Sequence, residues 1–131
     1  MGIEGTYEIQ EGTISRLNVL TDAFSPLEIV SGTILIKRVA DKVYQITIKS
    51  VEKLPNGSHV FHSNGLATYV EDDDVLEVFA KIVTSPTSAI PHANGTIKFK
   101  GHDKLTLINT VIGNDFVNIA RIKAKKKDED D

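Results

Sequence analysis

The 131-residue chain contains no cysteine, no tryptophan and a single methionine. Without cysteine there is no disulfide framework, no thiolate metal site and no cysteine nucleophile, so several classes of protein are excluded together. Aromatic residues are also scarce, with three tyrosines and five phenylalanines. They are not interleaved with basic residues in the way that a base-stacking surface requires, and we interpret them as core residues.

The chain has no strong excess of charge of either sign. Its 15 basic and 18 acidic side chains give a formal net charge of −3. A protein that binds nucleic acid usually presents a basic patch or stripe, so we expect no nucleic-acid partner. The sequence carries no signature of a particular oligomeric state.

Long apolar runs are missing as well. No run approaches the roughly 18 residues that span a bilayer, so we expect no membrane span. The first residues lack the basic and apolar regions of a signal peptide. The sequence therefore predicts a cytoplasmic protein, with secretion as the alternative if a leader has been removed ahead of Met1.

Alternation of apolar and polar residues with a period of two recurs along most of the chain and indicates β-strands. Ile34 and Ile36 share one face of a predicted strand, and Ile46 and Ile48 share a face of the next strand. Turn residues separate the two segments at positions 40–42. A β-hairpin is the natural interpretation of this arrangement.

Further alternating segments follow, each bounded by turn residues. They cover residues 58–71, 76–82, 97–100, 105–107 and 116–123, with turns at 72–74, 101–104 and 113–115 and a proline-containing loop at 84–93. Within the first of these segments, Asn64-Gly65 predicts a bulge or bend.

Short strands in this number and order predict an all-β fold, an antiparallel up-and-down β-barrel of about eight strands. A β-sandwich is the alternative. We predict one domain over residues 1–123, followed by a charged tail at residues 124–131. The tail is rich in lysine and acidic residues, and we expect it to be disordered.

Residues 11–31 depart from the alternating pattern. Leu17, Leu20 and Phe24 fall near helical spacing, and Pro26 interrupts the run. The segment predicts either a short helix or irregular lid, or a long first strand with a bend. The run is too short for its periodicity to choose between them.

Motifs for catalysis and metal binding are absent. His59 and His62 are three residues apart, so on a strand they face opposite sides and cannot hold one metal ion together. The acidic turn at 72–74 lacks the spacing of a calcium loop. There is no nucleophile elbow, phosphate loop, zinc motif or dinucleotide fingerprint. We therefore predict no catalytic residues, no metal and no cofactor.

Two features resemble a known family. The first strand opens Gly5-Thr6-Tyr7, with glycine two residues before an aromatic residue, and Arg121 lies in the closing strand. Together with the strand order over nearly the whole chain, these features resemble the lipocalin-like or calycin barrels. The resemblance implies a ligand cavity inside the barrel, entered from one end.

On this interpretation the chain binds a small apolar or amphipathic molecule inside the barrel. The expected lining consists of residues on the proposed inner faces, namely Tyr7, Tyr44, Ile46, His62, Val78, Phe99 and Arg121. Arg121 shares a face with Val117 and Ile119, and the opposite face carries Phe116 and Ile122. Both faces contain apolar residues, so the alternation leaves open which of them is the inner face.

Two other functions are compatible with the sequence. One is a non-enzymatic interaction or structural domain whose interior is filled by side chains, because an eight-stranded barrel is just wide enough for either outcome. The other, weaker one is a barrel isomerase or cyclase that uses His62 and Tyr44 for proton transfer. An open internal cavity would favour binding over the filled domain.

Overall fold

The computed structural model of the protein describes residues 2–54, 57–82 and 92–127. The chain forms eight strands: β1 (Gly5–Asn18), β2 (Phe24–Ala40), β3 (Val43–Leu54), β4 (Gly57–Val70), β5 (Val75–Ile82), β6 (His92–Lys100), β7 (Lys104–Ile112) and β8 (Phe116–Lys126). Each strand pairs antiparallel with the next, and β8 pairs with β1. The predicted up-and-down β-barrel is confirmed, and the β-sandwich alternative is wrong.

The segment at residues 11–31 is neither a helix nor a lid. β1 continues to Asn18, the chain turns, and β2 begins at Phe24. The long-strand interpretation is therefore correct for this region. The described residues form no helix, and so none that could cross a bilayer.

Two β-bulges explain why the alternation fails in this segment. One lies in β1 between Ile9 and Glu11, and the other lies in β2 between Ile29 and Ser31. Each bulge adds one residue and shifts the phase of the side chains that follow. In β1, for example, the inner positions change from odd-numbered residues such as Ile9 to even-numbered residues such as Ile14.

The predicted turns lie at the strand connections. Lys42 and Asp74 have φ angles of 59° and 54° in two of these turns, and Gly101 has a φ of 70° in a third. The bulge predicted at Asn64-Gly65 is wrong, because the register of β4 with both neighbours continues through these residues. Glycine is needed at position 65 for another reason, since a Cβ there would overlap the backbone of β5.

The closing strand extends beyond the predicted domain boundary at residue 123. Ala124 is 3% exposed, and β8 ends only at Lys126. The backbone N–H of Lys127 donates to the Thr6 carbonyl oxygen at 2.8 Å. Three residues assigned to the tail by sequence therefore belong to the barrel. Residues 128–131 lie outside the described residues, and their disorder remains a prediction.

Candidate functional site

The interior of the barrel has two halves that differ in packing. The filled half lies toward the end where β2 passes into β3, and large apolar side chains that are almost fully buried occupy it. They are Tyr7, Ile34, Ile36, Ile46, Leu76, Val78, Ile97 and Leu105. The open half lies toward the end where β1 passes into β2 and β7 passes into β8.

The open half contains a cavity of about 60 Å³. Eight apolar residues contribute to its lining: Ile14, Ile29, Ile48, Phe61, Leu107, Val111, Ala120 and Ile122. Five polar residues complete the lining: Ser50, Glu52, Ser63, Asn109 and Asn118. The lining of the cavity is therefore amphipathic.

Strand β3 shows how the sequence produces this change in polarity. Its inner row begins with apolar residues, including Ile46 and Ile48, and continues with Ser50 and Glu52. Ser50 and Glu52 are 8% and 5% exposed. Ser50 and Glu52 could have been identified from the sequence, because they continue the alternation of Ile46 and Ile48 along β3.

Glu52 is the most unusual residue of the cavity. Its Oε2 atom is buried and has no hydrogen-bond partner within the described part of the chain. Burial raises the pKa of the Glu52 carboxyl to about 7, and the charge of Arg16 offsets part of this rise. A buried acceptor without a donor is destabilising, and such groups are rare in folded proteins.

Two other titratable or charged side chains face inward near Glu52. His59 lies directly opposite Glu52 on β4, and its ring packs edge-on against Phe61 with the centroids 4.5 Å apart. Arg16 on β1 donates from Nε to Asn118 Oδ1 at 2.8 Å. None of the four ion pairs found among the described residues includes Glu52 or Arg16.

The Arg16 guanidinium makes two contacts with neighbouring side chains. Besides the hydrogen bond to Asn118, its central carbon lies 5.1 Å from the centroid of the Phe116 ring. Arg16 is not among the residues that line the cavity. Among the described residues that line the cavity, Glu52 is therefore the only one that can carry a charge.

Five of the seven residues predicted to line a ligand site are on the inner face, but in the filled half. They are Tyr7, Tyr44, Ile46, Val78 and Phe99. Tyr7 donates its hydroxyl to the Ile3 carbonyl oxygen at 2.8 Å, and its ring centroid is 6.3 Å from that of Phe99. These side chains pack as core, and none of them lines the cavity.

The other two predicted residues, His62 and Arg121, lie on the outer face of the barrel wall. His62 is opposite Lys49 in the register of β3 and β4. Arg121 is exposed and contributes to an open groove on the outer surface. Their placement inside the barrel is wrong, because closure of the sheet turns the faces that carry Ser63 and Ile122 inward.

The outward position of His62 also affects the barrel-enzyme alternative. Tyr44 lies on the inner face of the wall and His62 on the outer face, so they cannot transfer protons to and from one ligand. Within the described residues, no three histidine or acidic side chains come together in a way that could hold a metal ion.

Comparison with solved structures shows the fold alone. The redesigned β-barrel mFAP1 bound to DFHBI has a TM-score of 0.60 and 15% identity, covering 92% of this chain and 94% of that chain. The mFAP2b barrel bound to DFHBI has a TM-score of 0.66 and 12% identity, covering 95% and 94%. The redesigned barrel b11L5F_LGL has a TM-score of 0.59 and 10% identity, covering 96% and 92%. No protein-family model matches the chain, and comparison with curated protein sequences finds no match.

Proposed function

We propose that this protein binds a small amphipathic molecule in the open half of the barrel. The observation that carries the proposal is the cavity beside Glu52, which combines eight apolar lining residues with five polar ones. A pocket that is mostly apolar, with a few convergent polar groups and a titratable residue of perturbed pKa, is typical of a ligand site.

The size of the cavity limits what can enter it. A volume of about 60 Å³ corresponds to roughly two water molecules, and drug-sized ligands occupy pockets of roughly 300 Å³ or more. The cavity therefore accommodates a compact group of the ligand. The remainder of the molecule extends toward the β1–β2 end of the barrel.

The structural comparisons support the proposal at the level of the fold. Two barrels with the same overall fold bind DFHBI, so a barrel of this kind is compatible with a small-molecule ligand. A shared fold at this level of sequence identity does not imply a shared ligand. The kind of ligand proposed for this chain is inferred from the cavity.

A titration with n-hexanol tests the proposal. Amide chemical shifts of β3, β4 and β8 are followed by two-dimensional NMR as the alcohol is added. We expect saturable changes at residues that line the cavity, such as Ser50, Ser63 and Ala120. Changes that rise linearly over the whole surface would contradict the proposal and favour the filled interaction domain.

Two neighbouring substitutions on β8 provide the control. Ala120 is 8% exposed and lines the cavity, whereas Ile119 is 45% exposed on the outer wall. Ala120→Leu should fill the cavity and abolish saturation. Ile119→Ala should leave the binding curve unchanged, and it would weaken the response if hexanol merely adsorbed to the outer surface.

A further inference from the structure

Among the described residues, one buried side-chain acceptor in the cavity has no hydrogen-bond partner. Glu52 is 5% exposed, and its Oε2 has no donor within the described residues. The free-energy cost of removing such an oxygen atom from water is offset only when a hydrogen-bond donor reaches it. A ligand that places an N–H or O–H group in the cavity would supply that donor.

The charge of the lining selects among possible donors. Within the described part of the chain, Glu52 is the only cavity-lining residue that can ionise, and its charge is negative when it does. Arg16 is already engaged by Asn118 and stacks over Phe116. A compact cation entering the cavity would neutralise the Glu52 carboxylate, and hydrogen bonds between ionised partners are stronger than neutral ones.

The other polar residues of the lining can also bind a cation that carries hydrogen-bond donors. The side chains of Ser50, Ser63 and Asn109 carry oxygen atoms that can accept hydrogen bonds. An ammonium group has three donors and is comparable in size to a water molecule, so it can enter the cavity and donate to Glu52 and to neighbouring oxygen atoms.

From this geometry we propose that Glu52 recognises the primary ammonium head of an amphipathic ligand, whose apolar part extends toward the β1–β2 end of the barrel. This inference rests on the proposed function, because it assigns a head-group chemistry to the same cavity. The ligand class is therefore the primary amines that carry a single apolar chain, in their protonated form.

Three probes with the same six-carbon chain test the inference at pH 8: n-hexylammonium, n-hexanol and hexanoate. Dissociation constants are measured by NMR titration of the intact chain. We expect hexylammonium to bind about tenfold more tightly than hexanol, as a charge-assisted hydrogen bond predicts. Hexanoate should bind more weakly than hexanol, because its carboxylate would face that of Glu52.

Glu52→Gln is the decisive variant, because it keeps the shape of the side chain and removes its charge. Hexylammonium should then bind within about twofold of hexanol, since the difference between them arises from the ionised carboxylate. Glu28→Gln makes the same chemical change on the outer face of β2, where Glu28 is exposed. It should preserve the tenfold preference.

The possible outcomes separate the two proposals. If none of the three probes saturates, the proposed function itself fails. If hexanol saturates and hexylammonium binds no more tightly, the cavity binds ligands but the ammonium inference is overturned. A preference for hexanoate, or a preference for hexylammonium that survives Glu52→Gln, would also overturn it.

The pH dependence gives a second readout. The groups that face Glu52 on the inner wall are His59 on β4 and Arg16 on β1. Lowering the pH from 8 to 6 protonates Glu52 and removes its negative charge, so hexylammonium should bind more weakly. His59→Asn should retain most of the pH dependence, and Glu52→Gln should remove most of it. The reverse result would assign the recognition to His59 and contradict the inference.

Discussion

The filled and open halves of the barrel are formed by the same strands but differ in packing. On β3, Ile46 is fully buried among apolar side chains, whereas six residues later Glu52 is buried beside a cavity. The filled half closes one end of the barrel and provides apolar packing. The open half retains a void and a buried carboxyl, both of which reduce stability. We attribute this loss of stability to the proposed binding site, because function often requires a destabilised region.

The largest expected difference comes from truncating an isoleucine in each half. Ile46→Ala should lower the free energy of unfolding by about 4 kcal/mol, because it opens a new void in a packed region. Ile14→Ala should cost about 2 kcal/mol, since Ile14 already borders the cavity and loses fewer packing contacts. Urea denaturation measures both values. Equal costs would show that the two halves are packed alike.

Removing the buried carboxyl should stabilise the open half in a pH-dependent manner. The pKa of Glu52 rises from 4.5 to about 7 in the folded state, so the folded protein holds this proton more tightly than the unfolded chain. The stabilisation that comes from this tighter proton binding is fully present below pH 4.5 and is lost as the pH rises through 7. The loss amounts to about 3 kcal/mol.

Glu52→Gln should therefore raise the free energy of unfolding by up to about 3 kcal/mol at pH 8, with little change at pH 4. Thermal or urea unfolding at the two pH values measures the effect. Glu28→Gln on the outer face is the matched control and should show no such dependence. A Glu52→Gln effect that is the same at both pH values would contradict the assigned pKa.

The same enlargement of an alanine should have opposite consequences in the two halves. Ala67 is 2% exposed and lies between Tyr44 and Val78 in the register of the sheet. Ala67→Leu should cost about 2 kcal/mol through overpacking. Ala120→Leu has the cavity to occupy, and its effect should stay within about 0.5 kcal/mol of zero or be stabilising. Comparable losses for both variants would show that the cavity cannot accept a side chain.

The smallest effect concerns Arg16. Arg16→Gln removes the contact with Phe116 and weakens the hydrogen bond to Asn118, which should cost about 1 kcal/mol. It also removes the positive charge that lowers the pKa of Glu52, so that pKa should rise further. A carbon-detected NMR titration of the Glu52 carboxyl measures the change. An unchanged or lower pKa would show that Arg16 does not act on Glu52.

Much of the fold could be predicted because its signals are local. The period of two and the turn residues at 40–42, 72–74 and 101–104 reflect short-range geometry, and they identified the strand order of the barrel. The site was harder to predict. Arg121 and Ile122 are both plausible inner residues within β8 alone, and pairing with β7 and β1 decides that Ile122 faces inward.

The sequence by itself determined an all-β chain of antiparallel strands in up-and-down order, because alternation and turns act within a few residues. Closure into a barrel instead of a sandwich came from the pairing of β8 with β1. Only the tertiary structure decided which faces point inward, since the bulges after Ile9 and Ile29 shift the phase of β1 and β2. It also decided that Glu52, His59 and Arg16, which lie on three strands, share one end of the barrel. The pairing of Glu52 with His59 arises within the β3–β4 hairpin, whereas the approach of Arg16 from β1 depends on the curvature of the whole sheet.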